Sequence, residues 1–291
     1  MNLYKYGLNF LQKATPKYDL KSSTIGVITA TDSNTFIGVQ TLFSSIKDKI
    51  NFLCYDLGLK EEEIAWCKEN NLELKKIELP GCKHIKKWQT YVKPWLVDDS
   101  PFEYTVWIDS DCVVVGDLSK SKFIQNKESF FIKHWIQQKY LTKNSKFLYL
   151  NHPVENPSCN YVNAGVFGIN KSLNQDILDK WKFLLETGFK DKEFLDLIVN
   201  WDEGGLNWAL QNKDNFKYIH NDYRYNGYAS FLIDVSRHNF SIYEQKILTL
   251  DKSASPSLFF KHVLDKSKDF FILHFSTCME NKKKYWGAWA S

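Results

Sequence analysis

The chain has 291 residues, 38 of them basic and 34 acidic, for a net charge of +4, with 44% hydrophobic and 16% aromatic residues. That length can bury the core of one large α/β domain, and so even a charge balance does not argue for nucleic-acid binding. Arg224 and Arg237 are the only arginines, no apolar run approaches a membrane span, and none of the cysteines (Cys54, Cys67, Cys82, Cys112, Cys159, Cys278) forms a C-x-x-C pair; an arginine-based base-reading surface, a transmembrane anchor and a zinc or thiol-redox motif are therefore not expected.

The N-terminal stretch MNLYKYGLNFLQKATPKYDLK lacks the long apolar core of a signal peptide, so the expected location is cytoplasmic. TIGVITA (24–30) reads as a strand, and Asp32-Ser33-Asn34 as a turn and helix N-cap. Phe36, Val39, Leu42, Phe43 and Ile46 follow at helical spacing. NFLCYDL (51–57) predicts a second strand, the Glu-rich residues 60–70 an exposed helix, and LELKKIEL (72–79) a third strand. Residues 86–98 predict a helix interrupted near Pro94. Residues 137–159 are polar and aperiodic, as in a long loop or lid. YVNAGVFGI (161–169) returns to strand character, Ile177, Leu178, Trp181, Leu184 and Leu185 mark an amphipathic helix, 203–211 a short helix, and FFILHFS (270–276) a late strand. Strands alternating with helices predict a mainly parallel, helix-covered sheet in a single domain, with ligands beyond the carboxyl ends of its strands. Asp32, Asp56, Asp109 and Asp111 all follow apolar runs and so belong to that edge.

The stretch TVWIDSDCVVVGDL (105–118) sets Asp109 and Asp111 between two apolar, β-branched runs, where unneutralised carboxylates are rare. In an extended chain, i and i+2 side chains share a face, and two oxygen donors there suit Mg²⁺ or Mn²⁺. The same residues are also compatible with an Asx-rich turn between strands, with no metal.

Several ordered segments across residues 24–286 resemble glycosyltransferase family 8 and related bacterial GT-A nucleotide-diphospho-sugar transferases. They are VITATDSNTF (27–36), KWQTYVKPWL (87–96), IDSDCVVVGDL (108–118), YVNAGVFGIN (161–170), WDEGGLNWAL (201–210) and LHFSTCMENKKKYW (273–286). The resemblance implies a GT-A fold, Rossmann-like, with a nucleotide-binding part over 24–118 and a sugar and acceptor part over 119–291. It implies transfer of a hexose from a UDP-sugar to a glycan or lipid-linked acceptor, with retention, as in polysaccharide biosynthesis. Asp109, Asp111 and His274 would hold Mn²⁺ or Mg²⁺. Ala30, Thr31, Asp32, Asn34 and Ser110 would contact the nucleoside, Lys93 and Lys284 the diphosphate, and Asn163, Ala164 and Gly165 the sugar. Asp202 and Glu203 would carry the chemistry at the donor sugar. The family usually has Asp-Gln at these two positions, so Glu203 is a departure: it would act as a nucleophile or as an electrostatic stabiliser of an oxocarbenium-like transition state. The family's closing His-Gly then Lys-Pro-Trp is incomplete here, and Lys284 matches it loosely. The glycines Gly204 and Gly205 are expected to allow close packing against a ligand. The tail KKKYWGAW (282–289) suits contact with an anionic membrane surface carrying the acceptor.

Two other classes share parts of this pattern. A sugar-1-phosphate nucleotidylyltransferase would need a Gly-rich, Arg-containing loop after the first strand, and TATDSNTF has none. A non-catalytic carbohydrate-binding protein would not need Asp109, Asp111 and His274 together.

Overall fold

The computed structural model describes residues 24–46, 50–79, 81–83, 85, 88–133, 162–191, 202–211, 213–219, 227–228 and 270–274. The alternation in the sequence becomes β1 (Ile25–Thr31), α1 (Phe36–Ile46), β2 (Asn51–Asp56), α2 (Glu61–Glu69), β3 (Glu73–Lys75), α3 (Lys93–Asp99) and β4 (Tyr104–Ile108). There follow β5 (Cys112–Gly116), α4 (Lys122–Gln125), β6 (Phe130–Lys133), β7 (Val162–Asn170), α5 (Lys171–Lys190), α6 (Asp202–Ala209), β8 (Lys217–Ile219), β9 (Gly227–Tyr228) and β10 (Phe270–His274).

Seven strands form one sheet in the order β3-β2-β1-β4-β7-β6-β8, and β5-β10-β9 form a second. In the large sheet only β7 runs antiparallel to its neighbours β4 and β6; all its other pairings are parallel. The sheet is therefore mixed and mainly parallel, as the strand–helix alternation predicts. The carboxyl ends of β1, β2 and β4 and the amino end of β7 meet at one edge.

Both faces of the sheet are covered, which is why its strands read as continuous apolar runs. Period-two alternation divides each strand between two cores. On β1, Ile28 faces one core and Val27 the other; on β4, Trp107 faces the first, and Val106 and Ile108 the second. The first core takes Leu96 and Val97 of α3 and Ile177, Leu178, Trp181, Leu184 and Leu185 of α5. The second takes Val39, Leu42, Phe43 and Ile46 of α1. Phe167 of β7 is fully buried, with ring centroids 5.8 Å from Phe131, 5.9 Å from Trp181 and 6.4 Å from Trp107. Cys54 and Cys112 are buried core residues, as their apolar surroundings predict.

Three expectations change. The 72–79 strand is short, regular only over Glu73–Lys75. Lys and Glu make up half of the stretch, the adjacent Lys75 and Lys76 break its alternation, and only Leu72 is buried, so little extends the pairing beyond three residues. Pro94 does not interrupt a helix. It stands in the first turn of α3, where its missing N–H has no helical acceptor to lose; residues 88–90 form a separate 3₁₀ turn. Gly205 packs not against a ligand but against α5: a Cβ there would lie 2.7 Å from Trp181 Cδ1. The 137–159 segment lies outside the described residues.

Candidate functional site

The turn after β1 is organised by Asp32. Its Oδ1 accepts from the N–H of Asn34 and Thr35, at 2.9 and 3.2 Å, and so caps the approach to α1. Its Oδ2 accepts from Asn34 Nδ2 and from Gln89 Nε2 at 3.3 Å. Ser33 donates to Gly58 O and to Glu63 Oε2 of α2, tying this turn to the one after β2. There Asp56 is buried and accepts from the N–H of Gly58 and Leu59. Burial works against its charge, but these two N–H groups and Lys76 hold the carboxyl below its ordinary range. Asp32 and Asp56 thus shape the edge, leaving Ala30 at the end of β1 partly exposed and Asn34 on the surface.

Asp109, Ser110 and Asp111 are not an extended strand. The Cys112 N–H donates to Asp109 O at 3.0 Å, closing a four-residue turn. This turn passes the chain from β4 in the large sheet to β5 in the small one. The shared-face argument for the two carboxylates therefore fails, while their placement together at the sheet edge stands. Register adds the third candidate donor: β10 pairs antiparallel with β5, setting the His274 backbone opposite Cys112, one residue past Asp111. Among the described residues no three His, Cys, Asp or Glu side chains form a cluster; the His274 imidazole lies outside them.

Lys93 sits differently from a solvated surface lysine. At the start of α3 it is buried, and its ammonium reaches Asp109 Oδ1 at 2.8 Å, Asp202 Oδ2 at 2.7 Å and Ala164 O at 2.9 Å. Three donors meet three acceptors, so in this arrangement none is directed at a phosphate. Burial works against the ammonium's charge; Asp109, then Asp202, outweigh it and hold the group above lysine's usual range. Asp202, also buried, is pushed up by desolvation, with Lys93 pulling back.

Two residues not picked out from sequence complete the arrangement. The Trp107 indole N–H donates to Asp109 Oδ1 at 2.7 Å, and its ring lies 5.4 Å from the Lys93 ammonium. Trp107 is in β4, two residues before Asp109, which follows the strand directly; in sequence that i, i+2 spacing next to a strand is the signal. Asn207 bonds both the N–H and C=O of Val162, at 2.7 and 2.9 Å, and also Glu203 O at 2.7 Å, pinning α6 to β7. Its signal is an amide one helical turn after Glu203.

β7 supplies the centre. Its register against β6 jumps from Phe131↔Phe167 to Ile132↔Asn163, so Ala164, Gly165 and Val166 bulge out. The bulge gives Ala164 O to Lys93 and Gly165 O to the Asp109 N–H at 2.8 Å. Asn163 accepts from the Gly165 N–H and donates to Glu203 Oε1. Asp109, Lys93, Ala164, Asn163, Asp202 and Glu203 therefore form one connected polar network across four elements. Lys284 lies outside the described residues.

No protein-family model matches the chain, and no curated protein matches it in sequence. Solved structures do match in three dimensions, and they are glycosyltransferases of the GT-A type. The galactosyltransferase LgtC in complex with donor and acceptor sugar analogues superposes with a TM-score of 0.54 at 15% identity, over 90% of this chain and 95% of its own. The apo form of GlyE from Streptococcus pneumoniae TIGR4 gives 0.53 at 15%, over 92% and 62%. The apo bifunctional glycosyltransferase WbbM gives 0.53 at 14%, over 92% of this chain, which spans half of that longer one. The likeness is one of fold: the chain has the GT-A architecture that its motifs resemble.

Proposed function

We propose that this protein is a glycosyltransferase that moves a hexose from a UDP-sugar to a glycan or lipid-linked acceptor with retention of configuration. The observation that supports it best is the convergence of the metal-side and sugar-side candidates, Asp109 with Lys93 and Asp202 with Glu203, from distant segments into one network at the strand ends. Strand carboxyl ends are where sheets of this class take ligands.

The residue types suit a divalent cation, with two carboxylates and an imidazole as candidate donors. Asp109 and Asp111 supply oxygen, and the β5–β10 register brings the His274 backbone beside them. Mn²⁺ or Mg²⁺ held by these three would supply charge for the diphosphate leaving group. Ala30, Thr31, Asp32, Asn34 and Ser110, at the ends of β1 and β4, would hold the nucleoside, and Lys284 would reach the diphosphate. Lys93 keeps Asp109 oriented from behind rather than binding phosphate itself. Asn163, with the backbone of Ala164 and Gly165, would orient the sugar, and its bond to Glu203 fixes that carboxylate. Glu203, pinned through Asn207, would lie against the donor sugar and stabilise positive charge at the anomeric carbon, or attack it. Contact of 282–289 with an anionic membrane belongs to the same proposal. Among the described residues no helix is long and apolar enough to cross a membrane.

A panel of UDP-sugars scored for nucleotide release, with and without EDTA, tests this. Mn²⁺-dependent release from one donor is expected. If no donor is bound or turned over in Mn²⁺, the glycosyltransferase reading fails.

A further inference from the structure

We infer that Lys93 is a positioning residue that couples the metal-side carboxylate Asp109 to the sugar-side carboxylate Asp202, rather than a ligand of the donor phosphates. The inference deepens the proposed function and rests on it for the naming of the two sides. Its geometry is independent of that reading.

Three observations carry it. The ammonium is buried and all three of its donors end on protein oxygens: Asp109 Oδ1, Asp202 Oδ2 and Ala164 O. These acceptors come from the turn after β4, the start of α6 and the β7 bulge, so one side chain ties together three pieces of chain far apart in sequence. Both carboxylates are poorly hydrated, with side-chain exposures of 24% and 10%, and face one cation. Without it, two like charges would share a water-poor site, and each would move away from the other or take a proton. The helix start adds rigidity. Pro94 follows Lys93 directly, and its ring restricts the backbone of the residue before it. A lysine meant to follow a moving phosphate would need free rotors and free donors; this one has neither.

Trp107 provides a built-in reporter. Its indole N–H donates to the same Asp109 oxygen that Lys93 holds, and not to Asp202. In ¹H–¹⁵N spectra of the full chain without ligand, the Trp107 indole peak is assigned by its loss in Trp107→Phe. Asp202→Asn should shift that peak, and in a Lys93→Met background the same substitution should no longer do so. An unmoved peak, or an equal shift in both backgrounds, overturns the coupling. If Lys93→Met does not fold, Lys93→Arg replaces it: a guanidinium spans the carboxylates differently, so the shift caused by Asp202→Asn should change in size, and an unchanged shift overturns the inference.

The kinetic arm separates positioning from phosphate contact. For Lys93→Met or Lys93→Arg, kcat for UDP-sugar hydrolysis should fall at least about 30-fold while the Kd for UDP at saturating Mn²⁺, by calorimetry, stays within about threefold. A tenfold or greater loss of UDP affinity with kcat retained overturns the inference in favour of a phosphate ligand. If the wild-type chain neither binds UDP nor hydrolyses a UDP-sugar, it is the proposed function that fails, and the indole measurement still decides the coupling.

Discussion

At Asp109 a single carboxylate oxygen receives both an indole N–H and an ammonium. Asp109→Asn keeps the shape and removes the charge, leaving Lys93 facing Asp202 alone. Mn²⁺-dependent UDP binding, measured by calorimetry, is expected to weaken by more than about 100-fold, beyond the usual effect of disturbing a residue behind a metal ligand. Unchanged affinity would remove Asp109 from the metal site. Glu203→Gln tests the other side: donor hydrolysis should lose about 10²–10³ in kcat, the scale of losing one preorganised charge at a transition state, and near-normal turnover would end its catalytic assignment. The carboxylates were legible in the sequence because they interrupt apolar runs. The role of Lys93 was not. Its type and place were visible, but a lysine's meaning lies in what its ammonium touches, and Asp202 and Ala164 come from segments that only the fold brings near.

The strands and helices were mostly readable because their periodicities are clean: β1, β2, β4 and β7 as apolar runs, α1 and α5 as one-sided helices. Where local pattern and tertiary burial disagree, burial decides. LELKKIEL alternates in two halves that change phase at Lys75-Lys76, and it pairs over only three residues at the edge of the sheet. Pro94 looked like an interruption because sequence alone does not fix where a helix begins. The α5–α6 contact gives a test at this scale. Gly205→Ala would place a Cβ against the Trp181 indole and should destabilise the fold by about 1–3 kcal/mol in urea unfolding, as overpacking does. Phe167→Ala, at the centre of the aromatic stack, should cost about 3–5 kcal/mol in the same assay. An unchanged urea midpoint in either variant would contradict the packing described.

Over the whole molecule, pH acts through carboxylates whose folded pKa lies below their unfolded value. Burial raises the Asp98 carboxyl, but Lys182 and Gln175 overcome this and hold it low; Asp56 is held low by turn N–H groups and Lys76. A group with a depressed folded pKa stabilises the fold above its unfolded value, 3.8 for aspartate, and loses that contribution as pH falls through the folded value. The contribution of these two carboxylates to the urea midpoint should therefore be constant near neutrality and fall between about pH 4 and pH 2. Asp56→Asn should flatten that fall, and an equally steep acid transition in the variant would show that Asp56 does not drive it.

The pairing of β10 with β5 also has a consequence in time. A polypeptide is made from its amino end, so β4, the turn with both carboxylates, and β5 all emerge long before residues 270–274 exist. Until that strand is synthesised, β5 lacks the partner that sets His274 beside Asp111. A chain released early would carry Asp109 and Asp111 without His274. Maturation of the proposed ion site is thus tied to completion of β10, and pairing over so long a separation in sequence makes it a late step in folding.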